Sequence, residues 1–186
     1  VMAYEFIPET SYSYTNPRGF SFLKLTAPTG TSNFENQNPG LTDVTGKGLW
    51  TVSAGLALVK IYKGFDYQIM VEGHQSLSKS FNSGEHVQAG PGMSAILALG
   101  YSPRQTMWRF GMALSPHYES EKTITTNNTQ FKTTEEYYWD SSISASYMIG
   151  DYGYTASYVD QTLAGPTKNT TLSRTISISL LRRWKL

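Results

Sequence analysis

Cysteine is absent from the 186 residues. That excludes a disulfide scaffold and thiolate metal sites, and it leaves the compartment open. Charge is scarce as well: Asp, Glu, Lys and Arg make up 16% of the chain, against about 25% in an ordinary soluble domain. No stretch of about 18 apolar residues compensates, so a transmembrane helix is excluded. The formal net charge of +1 gives no electrostatic footprint for nucleic acid. The Ala, Leu, Glu and Lys surplus of a helical bundle is also missing. The chain starts at Val1 with neither an initiator Met nor a signal peptide, as a mature or truncated protein would.

Aromatic residues fill part of the gap, with 13 Tyr, 8 Phe and 4 Trp, alongside 16 Gly and abundant Ser and Thr. Such a mixture argues against disorder. Its dominant order is an alternation of period two. In 50–58, Trp50, Val52, Ala54, Leu56 and Leu58 share one parity, and Thr51, Ser53, Gly55 and Ala57 the other. The same pattern recurs in 65–72, 87–101, 108–119, 137–149, 152–158 and 172–180, with Ile96 as an exception. Two earlier segments are less regular. Pro8 interrupts 2–14, and in 20–27 the apolar face switches from Phe20 and Phe22 to Leu23 and Leu25, as a β-bulge would produce. The reading gives nine strands, most of 9 to 15 residues. Globular strands average about 5–6 residues, whereas a tilted membrane strand needs about 9–11.

Short turns at 16–19, 61–64, 102–105 and 150–151 alternate with long polar loops at 28–48, 78–86, 120–134 and 160–170. All long loops therefore lie at one end of an up-and-down meander. The polar parity is mainly Ser, Thr, Gly, Gln and Ala, which suits a crowded or wet lumen better than a soluble exterior. The apolar parity carries rings near strand ends: Trp50, Phe65, Tyr67, Tyr101, Trp108, Tyr118, Tyr137, Trp139, Tyr147, Tyr152, Tyr158 and Trp184. Aromatic girdles of a membrane barrel take this form, and a closed barrel satisfies every backbone group in lipid. The fold expected is an all-β, antiparallel, up-and-down transmembrane β-barrel, one domain over 1–186.

Outer-membrane barrels have short periplasmic turns and long external loops. The last strand then ends in the periplasm. Nine strands leave the first one running downward too, whereas such barrels have an even number. The expectation is an N-terminally incomplete barrel, with at least ten strands when complete; the alternatives are closure by a partner chain or a strand count that is off by one.

The stretch 20–118 resembles a known family. Ser21 to Gly30, SFLKLTAPTG, is similar to that family's strand ending in Leu-x-x-Pro-Thr-Gly. Gly55-Leu56-Ala57-Leu58-Val59-Lys60 follows a Gly-rich loop; then come Val71-Glu72-Gly73-His74, Gln88-Ala89-Gly90-Pro91-Gly92-Met93 and Leu99-Gly100-Tyr101-Ser102. The family is the outer-membrane barrels of the meta-pathway phenol-degradation, or transporter-like, type. The resemblance implies a Gram-negative outer-membrane barrel with a transport role for small, often hydrophobic compounds, and it brings no established catalytic residues with it. One departure is terminal: the chain ends in Leu186, where such barrels end in an aromatic residue.

Asp66, Glu72, His74, Arg109, His117, Glu119 and Asp140 fall on the polar parity of neighbouring strands. Ionisable groups of both signs in a lumen either plug it or set selectivity. Pairing of Arg109 with Glu72 or Asp140 across the bore would mean a plug. His74, His117 and Glu119 are the residues that could approach as metal ligands, but they lie on non-adjacent strands, and neither a metal nor a cofactor is expected. Ser115 and His117 are two apart on one strand, about 7 Å, too far for a nucleophile–base hydrogen bond. No Gly-x-Ser-x-Gly elbow occurs, and no enzyme activity is expected. Pro91 beside Gly90 and Gly92 should mark a bulge or bend. Arg174, on the lipid parity near the outer rim, would meet a lipopolysaccharide phosphate or snorkel. In the largest loop Phe34 and Leu41 either pack into the mouth or stand up towards a neighbour. The loop ends are mildly acidic, so neutral or weakly cationic solutes should pass more readily than anions.

Two functions follow as expectations. One is an outer-membrane channel for small neutral or hydrophobic solutes. The other is a plugged surface barrel that anchors a partner. Its surroundings would be outer-membrane lipid and lipopolysaccharide, with a protein partner or a second copy left open.

Overall fold

The computed structural model describes residues 1–8, 16–35, 46–126, 129–170 and 172–183. These contain only strands: β1 (Met2–Ile7), β2 (Arg18–Thr26), β3 (Thr51–Tyr62), β4 (Phe65–Ser76), β5 (Lys79–Ser80), β6 (Glu85–Ala89), β7 (Pro91–Tyr101), β8 (Trp108–Glu119), β9 (Lys122–Thr126), β10 (Thr129–Lys132), β11 (Glu136–Ile149), β12 (Tyr152–Asp160) and β13 (Arg174–Arg182). Nine form one sheet in the order β1-β2-β3-β4-β7-β8-β11-β12-β13. Every neighbouring pair is antiparallel, which makes the sheet an up-and-down meander. Among the described residues, β1 pairs only with β2 and β13 only with β12.

The tight β3–β4 hairpin shows how local sequence sets the register. Lys63 and Gly64 both have positive φ, 49° and 89°, the backbone of a two-residue turn whose twist matches its strands. Tyr62 is thereby placed opposite Phe65, and the ladder runs unbroken to Thr51 opposite Ser76.

Burial is inverted relative to a water-soluble sheet. Along β4, Phe65, Tyr67, Ile69 and Val71 are exposed, while Asp66, Gln68, Met70 and Glu72 are partly sheltered. Ile143 on β11 is 60% exposed and Ile178 on β13 is 84% exposed. A face of Leu, Ile, Val and Met left open in this way is stable against hydrocarbon, not water. The buried apolar cluster lies elsewhere. Leu49, Phe81, Val87, Ala89 and Ile124, with Phe34 against them, form a small core at the long-loop end.

That core belongs to a second sheet, β10-β9-β6-β5. The segments 78–86 and 120–134, read from sequence as polar loops, instead carry strands of this cap. Thr-rich β9 pairs with β6 through Val87 opposite Ile124, so two apolar residues suffice to anchor it. The continuous strand expected over 87–101 is divided at Gly90. Val87 and Ala89 face the cap core, and Pro91 opens β7 in the main sheet opposite Gln75. A Cβ at residue 90 would stand 1.9 Å from Ser120 Oγ, so the crossover needs glycine there. The bend expected at Pro91 is thus a change of sheet.

The bulge expected in 20–27 is absent. β2 pairs with β3 without a register shift from Arg18 to Thr26. Phe22 faces the sheltered side, where its ring covers Gly55, and Leu23 and Leu25 face outward. The irregularity lies in β1 instead, between Glu5 and Ile7. The first strand ends at Ile7; the rest of segment 2–14, from residue 9 on, lies outside the described residues.

Candidate functional site: the polar wall and its mouth

Strict alternation brings Asp66, Glu72, His74, Arg109, His117, Glu119 and Asp140 to the sheltered face of β4, β8 and β11. They meet in pairs rather than as one cluster. Arg109 makes a two-pronged contact with Asp66, 3.0 Å from Nε and 2.5 Å from Nη2. β7 lies between these strands, and Gly100 supplies the passage, since a Cβ there would meet both Asp66 oxygens at 2.3 Å. His74 Nε2 lies 3.0 Å from Glu119 and crosses β7 in the same way at Gly92. Lys24 donates to Glu72 at 2.5 Å, spanning β3. His117 stacks on Tyr138, 4.7 Å between centroids, and lies 3.2 Å from Asp140, which also accepts from Gln161 at 2.8 Å.

These contacts run along the wall. Arg109 engages neither Glu72 nor Asp140, so the pairing that would mark a plug is not formed. His117 and His74 go to different carboxylates, and among the described residues no group of three or more metal-ligating side chains occurs.

Lys47 is the contact that leaves the wall. It comes from the loop between β2 and β3 and reaches Glu119 at 2.5 Å, leaning over the long-loop end. The described ends of that loop are held there by Phe34 on Phe81, 5.0 Å between rings, and by Lys79 to Glu35 at 2.8 Å. Leu41 lies outside the described residues. The Lys79 hydrogen bond holds the Glu35 carboxyl below its ordinary value, and Lys168 does the same for Glu135. Glu121 pairs with Lys132 and Asp160 with Arg174. Most of the described acidic groups of the loop ends are therefore ion-paired in place.

The Arg174 guanidinium is held by groups of the protein. Its Nε lies 3.1 Å from Asp160 and its Nη2 donates to Thr162. Asp160 also accepts from Tyr158 and from Thr162.

The rings fall in two bands on the outer face. Phe65, Tyr67, Tyr101, Trp108, Tyr147 and Tyr152 lie near the short turns, with Phe65 4.6 Å from Tyr101 and Trp108 4.8 Å from Tyr147. Trp50, Tyr118, Tyr137, Trp139 and Tyr158 lie towards the long loops, Tyr118 opposite Tyr137. Trp184 is outside the described residues.

Lys24, Ser53, Tyr138 and Gln161 belong to the wall but were not picked out from sequence. Lys24 stands between the outward Leu23 and Leu25 and shares the inner face with Phe20 and Phe22.

An outward apolar face between two aromatic bands, over a wall of small polar residues, defines the sheet of a membrane β-barrel. No family model and no curated protein matches the chain. Among solved structures, the crystal structure of an outer membrane channel from Pseudomonas putida F1 is similar, with TM-score 0.67 and 14% identity over 92% of this chain and 60% of that one. The chain thus spans about three fifths of that channel's length. The likeness establishes the fold, an antiparallel β-barrel sheet of the outer-membrane type.

Proposed function

We propose that the protein is a passive outer-membrane channel for small neutral or hydrophobic solutes. Its long loops would face outward, its C-terminal end would lie in the periplasm, and its belt would contact lipid and lipopolysaccharide. The observation that carries this reading is the alternation along β4, apolar side chains outward and Asp66, Glu72 and His74 paired along the wall. Paired charges leave the lumen polar without a large net field, so an uncharged solute meets no strong electrostatic barrier.

Planar-bilayer recording of the full-length protein tests the proposal. Stepwise conductance that grows in proportion to salt is expected. Silence, with normal surface assembly in cells, would refute the channel and favour a barrel that anchors a partner.

A further inference from the structure

The connection after β12 does not stand up from the rim. Lys168 and Tyr137 exchange two backbone hydrogen bonds, at 3.2 and 2.8 Å, and Gly165 packs so closely on the Trp139 ring that a Cβ has no room. Thr162 donates to Asp160 from its backbone N and from its hydroxyl, at 2.7 and 2.6 Å. Tyr137, Trp139 and Asp160 all carry the outward parity. Residues 161–168 therefore lie back over the outer surface of β11, and Leu163 is left 69% exposed.

Beside this overhang the outer face holds a groove of about 520 Å³, within the roughly 300–1,000 Å³ of small-molecule sites. Ile69, Leu97, Met112, Leu114, Ile143 and Leu163 line it, and so does Ser141. Ser141 is 8% exposed. It stands between Leu114 and Asp160 on the lipid-facing parity, and its Oγ has no hydrogen-bond partner among the described residues. Asp160 is already taken by Tyr158, Thr162 and Arg174. A hydroxyl buried without a partner is costly, and bare hydrocarbon supplies none. Ser21, on the same face, shows the ordinary solution: its hydroxyl donates to the Tyr4 carbonyl at 3.4 Å.

We propose that the groove binds one acyl chain of a diacyl glycerophospholipid, with the Ser141 hydroxyl donating to the chain's ester carbonyl. Ser141 Oγ is sheltered, so Leu163, open on its outer side, swings aside to admit the carbonyl and then closes on the chain. Three features select this occupant. The walls are apolar and suit a hydrocarbon chain. Ser141 stands two residues from Trp139, about 7 Å along the strand, and rings of such a band sit at the headgroup level, where an ester joins the chain to glycerol. The cations of the overhang are already engaged, Arg174 by Asp160 and Lys168 by Glu135. Chain and ester are therefore read, not a phosphate, which favours a phospholipid over lipopolysaccharide. The site rests on the reading of this face as lipid-facing and does not require conduction.

The test titrates the full-length protein in detergent micelles with dimyristoyl phosphatidylcholine and with its diether analogue, which keeps the chains and headgroup but lacks the carbonyls. Native mass spectrometry counts the lipid retained. One ester lipid should be held about threefold to tenfold more tightly than the ether, the worth of one neutral hydrogen bond. Ser141→Ala should lower the ester lipid to the affinity of the ether and leave the ether unchanged. Leu163→Ala should weaken both alike. Equal affinity for ester and ether in the unmodified protein would overturn the site. So would an ester preference that survives Ser141→Ala with barrel assembly intact on a heat-modifiability gel. Displacement of the ester lipid by an equal concentration of lipopolysaccharide would overturn phospholipid as the occupant. In vesicles, chain-brominated phosphatidylcholine should quench the tryptophan emission. Absence of quenching would refute the lipid-facing reading itself; quenching without ester preference would remove the site and keep the belt.

Discussion

Replacing Gly100 by alanine should bring the sheet none of the gain that the same change at Gly73 gives it. A glycine in a strand is worse than alanine by about 0.5–1 kcal/mol, because it loses more backbone freedom on folding. At Gly73 a Cβ would meet nothing within 4 Å, so Gly73→Ala should gain that amount. At Gly100 the new carbon would stand 2.3 Å from the Asp66 oxygens and 2.5 Å from Arg109 Nη2, and the two-pronged bridge could not stay closed. Arg109 is 46% exposed and Asp66 29%, so solvent screening limits the bridge to about 0.5–1 kcal/mol even with good geometry. The two terms cancel or leave a small loss at residue 100. The difference between the variants should be about 1 kcal/mol. Reversible urea unfolding in lipid vesicles, followed by tryptophan fluorescence, measures it. In a background with Asp66→Ala and Arg109→Ala, Gly100→Ala should become as favourable as Gly73→Ala, since the obstructing atoms are gone. If Gly100→Ala stabilises the unmodified protein as much as Gly73→Ala does, the bridge does not pass over β7 and the wall description fails.

Ile143→Arg, on the exposed face of β11, should cost about 2–4 kcal/mol in vesicles if that face meets the bilayer midplane, and Ser157→Lys on the inward side of the adjoining strand far less; equal penalties in urea unfolding would contradict the inside–outside assignment. Gly165 has a φ of +71°, and its Cβ would stand 2.2 Å from Trp139, so Gly165→Ala should displace the loop and lower unfolding stability by more than about 1 kcal/mol; an unchanged unfolding curve and unchanged tryptophan emission would contradict that packing. Glu35 and Glu135 are held below the ordinary carboxylate value of 4.5. The contribution of their lysine pairs is therefore complete above about pH 4.5 and fades as pH falls through the lowered values. Cleavage of the long loops by an acid-active protease should rise below that point and should lose its pH dependence in Lys79→Gln with Lys168→Gln.

The nine strands of the wall were legible because membrane strands are long and alternate without interruption. The hairpin at Lys63 and Gly64 and the division into short and long connections were legible for the same reason. The cap was not. β5 has two residues and β10 four, too short for a period to register, and β9 reads as a polar Thr run until Ile124 is seen against Val87. Phe20 and Phe22 look like a lipid-facing face, and the unbroken β2–β3 register shows those rings on the inner side beside Lys24. The seven charged and histidine residues of the wall were legible by parity. Their pairing was not, because which charge meets which depends on where the strand between them carries no side chain.

That last feature gives β7 a second task. Gly92 and Gly100 are eight positions apart on it, and each is the gap through which two other strands join hands. Sliding β7 by one residue would turn its apolar side chains inward. Sliding it by two in one direction would fill the gaps with Ser94 and Ser102; in the other direction Gly90 would fit the first gap, but Ala98 would block the second. Only one alignment of β7 leaves both gaps open. The strand works as a key whose cuts, not its teeth, are recognised, and it fixes the alignment of β4 and β8 without contributing a single charge.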